Sequence, residues 1–266
     1  MWQQTLYILF IIICYTKNTK KLTNQTYPMP SLVFDIETIG EDYQKMDKET
    51  KQALTYWIER ESMSETEYKK NVDRVKERLG LSPLTGQIVS IAIYNPDTQK
   101  GAVYFQAPGK KIRNPKKRNI EFVAADEKTI LKNFWTAAEK YDEFVTYNGQ
   151  SFDVPFIIIR SAVNRVKPTK NIMSNRYYRS QDLKAKHVDL MDQMTFYGAV
   201  YSKPKLQLVC RAFGVKSPKD QGISGNDVGK LFQKGYYLEI AKYNMRDVIA
   251  TARLYKIWRE YFKFEY

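Results

Sequence analysis

Two cysteines and one histidine in 266 residues rule out whole classes of chemistry. Cys14 and Cys210 are too few to draw a disulfide framework or a thiolate metal site, so no disulfide-linked partner is expected and a reducing, cytoplasmic setting is the natural one. His187 has nothing at ligand spacing around it and reads as a structural or surface residue. Apolar runs are short. Leu6–Tyr15 is too short to span a bilayer, and its lysines (Lys17, Lys20, Lys21) follow the run where a signal peptide carries them before it. A membrane partner is therefore not expected. Residues 1–30 read as an N-terminal extension with three explanations open: a weak membrane anchor, a non-standard signal, or a start codon upstream of a true start at Met29. Asn24-Gln25-Thr26 matches a glycosylation sequon, which means nothing without secretion. Internal repeats are absent.

Acidic residues are outnumbered, 29 against 43 Lys and Arg, for a net charge of +14. That balance favours a polyanion, either nucleic acid or an anionic membrane surface. The basic residues cluster. Gly109–Arg118 reads as a basic loop between two strands. A second stretch carries Arg160, Arg165, Lys167, Lys170, Arg176, Arg179, Lys184 and Lys186 with Tyr177 and Tyr178 among them and only Asp182 opposing. Cations that track a backbone and rings that stack on bases suit single-stranded nucleic acid. A hydrophobic fraction of 43% is enough for a sizeable core. We read one domain, 31–266, after the extension.

Scarce as they are, three acidic stretches stand where carboxylates are uncomfortable. Leu32–Thr38 reads as a strand, so Val33, Asp35 and Glu37 share one face and Leu32, Phe34 and Ile36 the other. Acids about 7 Å apart on one face repel unless a cation sits between them, and hard ions such as magnesium take such oxygen ligands. Alone, an Asp-x-Glu is more often a solvent-facing edge. Phe144–Phe156 reads as a strand to Tyr147, a turn at Asn148-Gly149 and a helix with Pro155 in its first turn. There Asp153 is either an N-cap or something more. Ile240, Tyr243, Asp247, Ala250, Leu254, Ile257 and Tyr261 form the buried stripe of a C-terminal helix. A buried Asp247 calls for a metal or a buried arginine.

The remaining elements are coarse. Glu41–Leu79 is a helical insertion stopped by Gly80 and Pro83. Ile88–Tyr94 and Ala102–Gln106 are strands with a turn near Asn95-Pro96-Asp97. Asp126 caps a helix over Glu127–Tyr141, and the helix after Asp153 runs to about Val163. His187–Asp189 is a short strand; Leu206–Phe213 and Asp227–Lys234 are short helices. Gly225–Leu231 approximates a phosphate-binding P-loop, but it has three residues between its glycines and Leu231 where Ser or Thr is needed, so no nucleotide triphosphate site is expected.

Taken together, Asp35-x-Glu37, Tyr147-Asn148-Gly149-x-x-Phe152-Asp153-x-Pro155 and Tyr243-x-x-x-Asp247 resemble the DEDD superfamily of 3′–5′ exonucleases, in its tyrosine (DEDDy) subclass. The chain is similar to the stand-alone bacterial exonucleases related to the proofreading domain of family B DNA polymerases, over about Leu32 to Trp258. The run Gly225–Val228 through Leu231-Phe232 to Tyr243 follows the same pattern. The resemblance implies an α/β, ribonuclease H-like fold, a mixed central sheet flanked by helices. It implies a two-metal hydrolysis of phosphodiester bonds with Mg2+ or Mn2+, two ions held by Asp35, Glu37, Asp153 and Asp247. Tyr243 orients the attacking water. The sister subclass uses a histidine at the position of Lys242, which excludes that variant here. Thr38, Asn148 and Phe152 are the implied contacts to the terminal nucleotide. Asp189 and Asp192 lie outside the implied catalytic set. The implied substrate is the 3′ end of single-stranded DNA ahead of RNA. An exoribonuclease of the same superfamily and a binding module without catalysis remain the alternatives. A peripheral membrane protein is a further alternative, resting on residues 1–30 and the basic charge.

Overall fold

The computed structural model describes residues 29–112, 119–200, 203–216 and 225–264. The extension's residues 1–28 and the middle of the basic loop, 113–118, lie outside them. In chain order the strands are β1 (Ser31–Gly40), β2 (Gly86–Asn95), β3 (Lys100–Phe105), β4 (Ile120–Ala124), β5 (Glu143–Thr146) and β6 (Lys186–Asp189). The helices are α1 (Lys48–Glu61), α2 (Glu65–Arg78), α3 (Glu127–Ala138), α4 (Asp153–Val163), α5 (Leu190–Met194), α6 (Leu206–Ala212), α7 (Val228–Gln233) and α8 (Tyr237–Tyr261).

The strands form one mixed sheet in the order β4-β3-β2-β1-β5-β6. β1 pairs antiparallel with β2 and parallel with β5. β4 runs parallel to β3, so the basic loop between them is a crossover rather than a hairpin, and its length fits that task. Alternation along β1 sorts the core as expected. Leu32, Phe34 and Ile36 face α3 and α4, packing with Phe134, Trp135 and Phe156. Val33 faces α8 and packs with Val145, Met245 and Val248. The acids of β1 therefore point under α8.

Four expectations are corrected. The Glu41–Leu79 insertion is a helical hairpin, broken at Ser62–Ser64, where the Ser64 side chain caps α2. The helix expected to reach Tyr141 ends at Ala138. The buried face of α8 is wider than the stripe. Ile240, Tyr243, Ala250 and Leu254 are buried as expected, and Asn244, Met245, Val248, Thr251, Tyr255 and Trp258 are buried beside them, whereas Asp247 and Ile257 are half-buried and Tyr261 is 67% exposed. A helix packed on a sheet buries more than one narrow stripe. Finally, half of the second basic stretch is engaged by the fold. Arg160 is buried against Glu127 at 2.7 and 2.9 Å, Lys170 pairs with Asp142, and Arg176 grips Asp192 through two bonds of 2.8 Å. Lys186 is buried, with its ammonium donating to the Tyr178 carbonyl. The first three balance acids that lie outside the stretch, and all four serve the fold.

Two glycines bring the end of β1 against the turn after α2. A Cβ on Gly80 would lie 2.8 Å from the Gly40 nitrogen, and one on Gly40 would lie 2.9 Å from the Gly80 nitrogen. Neither backbone can give way to a flexible side chain. Gly80→Ala is expected to lower the unfolding free energy by about 1–3 kcal/mol, as overpacked sites do. Urea denaturation checks this, and an unchanged midpoint would contradict the close approach.

Candidate active site

β1 and β5 stay paired only from Ser31 to Val33. Beyond that, the chain leaves β5 at Thr146, and the edge of β1 is open. The Asp153 carboxylate fills the gap: its Oδ1 accepts from the Ile36 backbone N–H at 3.0 Å. Asp153 is thus not the N-cap of α4. Phe152 holds that position, Asp153 begins the helix, and its carboxylate reaches across to β1. A bulge between Glu37 and Thr38 then shifts the register against β2, as bulges beside functional sites do. Asp35 and Glu37 precede the bulge and keep their common face.

α8 brings Asp247 over that face. Carboxylate oxygens of Asp35, Glu37 and Asp247 lie within 4.8 Å of one another. Burial, with added repulsion from Asp153, Glu37 and Asp247, pushes Asp35 well above the usual carboxylate range. Glu37 is raised in the same way, by burial and then by Asp247 and Asp153. Burial lifts Asp153 to about 7 against the opposing bond from Ile36. Three acids held this close, with Asp153 adding to the repulsion, resist ionising together, and a divalent cation would stabilise them as anions. The donors are all hard oxygens, which suits Mg2+ or Mn2+ and not a thiolate- or imidazole-preferring metal.

Tyr243 stands one turn before Asp247 and donates its hydroxyl to that carboxylate; burial and the neighbouring acids raise its pKa far above the ordinary phenol value. Tyr243 and Asp247 also line a cleft of about 340 Å³, whose other walls are Tyr147, Asn148, Met191 and the segment Lys203–Gln207. Asn148 reaches the cleft wall in a left-handed conformation, φ 66°. Asp189 fixes it there, accepting from the Asn148 and Gln150 amides at 2.8 and 3.0 Å while also capping α5. The Tyr147 hydroxyl donates to the Pro204 carbonyl at 2.5 Å and ties the two walls together. Thr38 spends its hydroxyl on the Gly80 carbonyl, 2.6 Å away. Phe152 is half-buried and packs on Phe156. His187 is buried, bonds Thr146 through Nε2, and has its pKa pushed down to about 3 by burial.

Asn244 and Ser90 join the site without having stood out in the sequence. Asn244 donates to Asp35 Oδ2 at 2.6 Å and accepts from the Ser90 hydroxyl at 2.8 Å; both residues are fully buried. This relay, from β2 through α8 to β1, fixes one oxygen of Asp35. The signal was present: Ser90 interrupts the apolar run Ile88–Ile93, and an amide follows Tyr243 in a helix that packs on the sheet. Arg246 did not stand out there either; its guanidinium lies over the Tyr243 ring, 5.7 Å from the centroid.

Residues 110–263 match a family described as predicted 3′-5′ exonucleases related to the exonuclease domain of PolB. DNA polymerase 1 of Sulfolobus acidocaldarius is 25% identical over 264 residues, an alignment that takes in 91% of this chain and 28% of that protein. A DNA polymerase of Pyrococcus glycovorans is 23% identical over 172 residues, 61% of this chain and 22% of that protein. The chain therefore spans about a quarter of the length of these relatives. Among solved structures, the family B DNA polymerase of Pyrobaculum calidifontis superposes with a TM-score of 0.55 at 16% identity, over 87% of this chain and 25% of that one. The shared fold is ribonuclease H-like. The 110–263 match holds Asp153, Tyr243 and Asp247, while Asp35 and Glu37 lie before it. Among the described residues, no helix is long and apolar enough to cross a membrane.

Proposed function

Because the chain belongs to the family of predicted 3′–5′ exonucleases related to the exonuclease domain of PolB, we propose that it hydrolyses single-stranded DNA from the 3′ end with divalent cations, in the manner of the tyrosine subclass. The convergence of Asp35, Glu37 and Asp247, brought together from opposite ends of the chain, is the observation that carries this reading. Asp35, Glu37 and Asp247 would hold one ion, with Asp35 and Asp153 serving a second. Bound there, such ions neutralise charge building on the phosphate and make water a better nucleophile.

The chain's own groups do the rest. Burial and the neighbouring acids favour the protonated form of Tyr243, so it would orient a water by hydrogen bonding rather than act as a base. Asp153 has one oxygen committed to Ile36, which fixes the direction of the other. On this reading Asn148, which lines the cleft, and Phe152 and the backbone at Thr38 nearby would contact the terminal nucleotide.

Asn244 positions Asp35. Asn244→Ala is expected to weaken Mn2+ binding by about 10-fold, as loss of an outer partner of a metal ligand does. Calorimetric titration of Mn2+ into the protein checks this, and an unchanged affinity would remove Asn244 from the site's design. For the substrate, 5′-labelled DNA and RNA of equal sequence are digested with Mg2+, with Mn2+ and with chelator. Faster shortening of DNA supports the proposal, faster RNA shortening replaces it with an exoribonuclease, and binding without shortening replaces it with a binding module.

A further inference from the structure

Phe196 and Tyr197 are consecutive aromatic residues in the left-handed region, with φ 51° and 57°. Bulky side chains rarely adopt that backbone, and where they do the surroundings must enforce it. Here Tyr197 is the enforced one. Its hydroxyl accepts from Gln193 Nε2 at 2.6 Å and from the Tyr178 amide at 3.2 Å, and its ring packs on Tyr177. The consequence falls on its neighbour: Phe196 is turned outward and left 56% exposed. It is not alone. Phe196 and Phe213 each approach Phe262 to a ring-centroid distance of 6.1 Å, the first tilted by 35° and the second edge-on at 64°, so the half-buried Phe262 links two exposed rings into one row, Phe213 being itself 40% exposed.

The row joins three parts of the chain, after α5, after α6 and after α8. Described residues 194–200, 208–216 and 258–264 supply Arg211, Lys216, Arg259 and Lys263 against Glu260, while Asp97 reaches in to pair with Arg259 at 3.2 Å, so the cations outnumber the acids by four to two. α6 links the row to the candidate active site. Its first residues, Leu206 and Gln207, line the cleft, and Phe213 follows its last, about 10 Å further along the helix axis. Exposed rings among cations, reached from the cleft along one helix, suit a single strand whose bases stack while its phosphates meet the cations.

We propose that Phe196, Phe262 and Phe213 form a stacking platform for single-stranded nucleic acid, holding the strand a few nucleotides upstream of the 3′ end in the cleft. This rests on the exonuclease reading for its orientation, and it assigns the chain a strand-gripping surface outside the carboxylate site. The charge decides the occupant. A second copy of a chain carrying +14 would bring like charge to a basic patch, whereas a polyanion complements it.

The test measures binding, in chelator, of fluorescent oligothymidines of about four and about twelve nucleotides, lengths on either side of a typical single-strand footprint. Wild type is compared with the double variant Phe196→Leu, Phe213→Leu, which keeps apolar volume and loses the stacking faces; its melting temperature confirms folding. The longer strand is expected to bind about 10-fold more weakly to the variant, the scale of lost base stacking, with the shorter strand unaffected. Digestion of the short strand with Mn2+ then proceeds at the wild-type rate. Equal binding of the longer strand to both proteins overturns the platform, as does a variant that changes only the oligomeric state in sedimentation. If wild type fails to shorten either strand yet grips the longer one in a ring-dependent way, the platform stands and the exonuclease reading falls.

Discussion

Asp247→Ala is expected to lower the rate of nucleotide release by at least about 10³-fold, since a lost ion ligand at the reacting phosphate removes several kcal/mol of charge stabilisation. The same substitution is not expected to unfold the protein. Asp247 is half-buried at the margin of the buried face of α8, where its carboxylate repels Asp35 and Glu37. Removing it relieves that repulsion and gives up the Tyr243 hydrogen bond, two changes of opposite sign, so the cation-free variant should melt close to the wild-type temperature. Activity falls while stability holds, which separates a functional carboxylate from a structural one. Glu127 makes the contrast. It is buried, pairs with Arg160 and accepts from the Ile88 amide, so Glu127→Ala strands a buried cation and should cost about 3–5 kcal/mol of stability. Rates on a labelled strand, beside thermal melts of both variants, read the two effects. An Asp247→Ala protein that is unstable and still active would invert this assignment.

Divalent cation should stabilise the protein increasingly as pH rises from about 4 to 7. In the unfolded chain the carboxyls of Asp35, Glu37 and Asp153 ionise near pH 4. In the native, cation-free protein all three are raised, Asp153 to about 7, so the native state keeps protons that the unfolded state has released. Stability therefore falls with rising pH across that window, by about 1.4 kcal/mol per pH unit for each retained proton. Below pH 4 both states are protonated and the effect disappears. His187 acts in the opposite sense. Buried with its pKa at about 3, it costs stability as pH falls below about 6.5, because only the unfolded state takes up the proton. Comparing melts with and without Mn2+ at each pH cancels His187 and leaves the carboxylates. The gain from Mn2+ should be small at pH 4 and largest near pH 7, since the ion binds the ionised native site. A gain independent of pH would mean that the cation binds elsewhere.

The carboxylates were legible because each violated a local rule: acids sharing a face of an apolar strand, an acid at the start of a helix after a tight turn, an acid within an amphipathic stripe. Strand alternation placed Asp35 and Glu37 correctly, since β1 is regular up to its bulge. What local pattern misread was pairwise and distant. Asp153 looked like an N-cap because sequence shows a helix start but not the open edge of β1 that draws the carboxylate away. In the basic stretch from Arg160 to Lys186, the engagement of Arg160, Lys170 and Arg176 was hidden because their partners Glu127, Asp142 and Asp192 lie outside it in sequence. Asn244 was silent for a related reason: an amide beside a motif tyrosine acquires meaning only when Ser90 and Asp35 appear on either side. β4 was implied only as the far side of a loop, and nothing local revealed that it returns parallel to β3.

Digestion of a 5′-labelled single strand by the wild type, beside Asp247→Ala, over a Mn2+ titration bears most directly on the carboxylate site. A ladder that shortens from the 3′ end one nucleotide at a time, grows with Mn2+, vanishes with chelator and is absent in the variant is the expected result. Shortening that persists in chelator or in Asp247→Ala, or cuts scattered within the strand, would contradict a divalent-cation 3′–5′ exonuclease built on Asp35, Glu37 and Asp247.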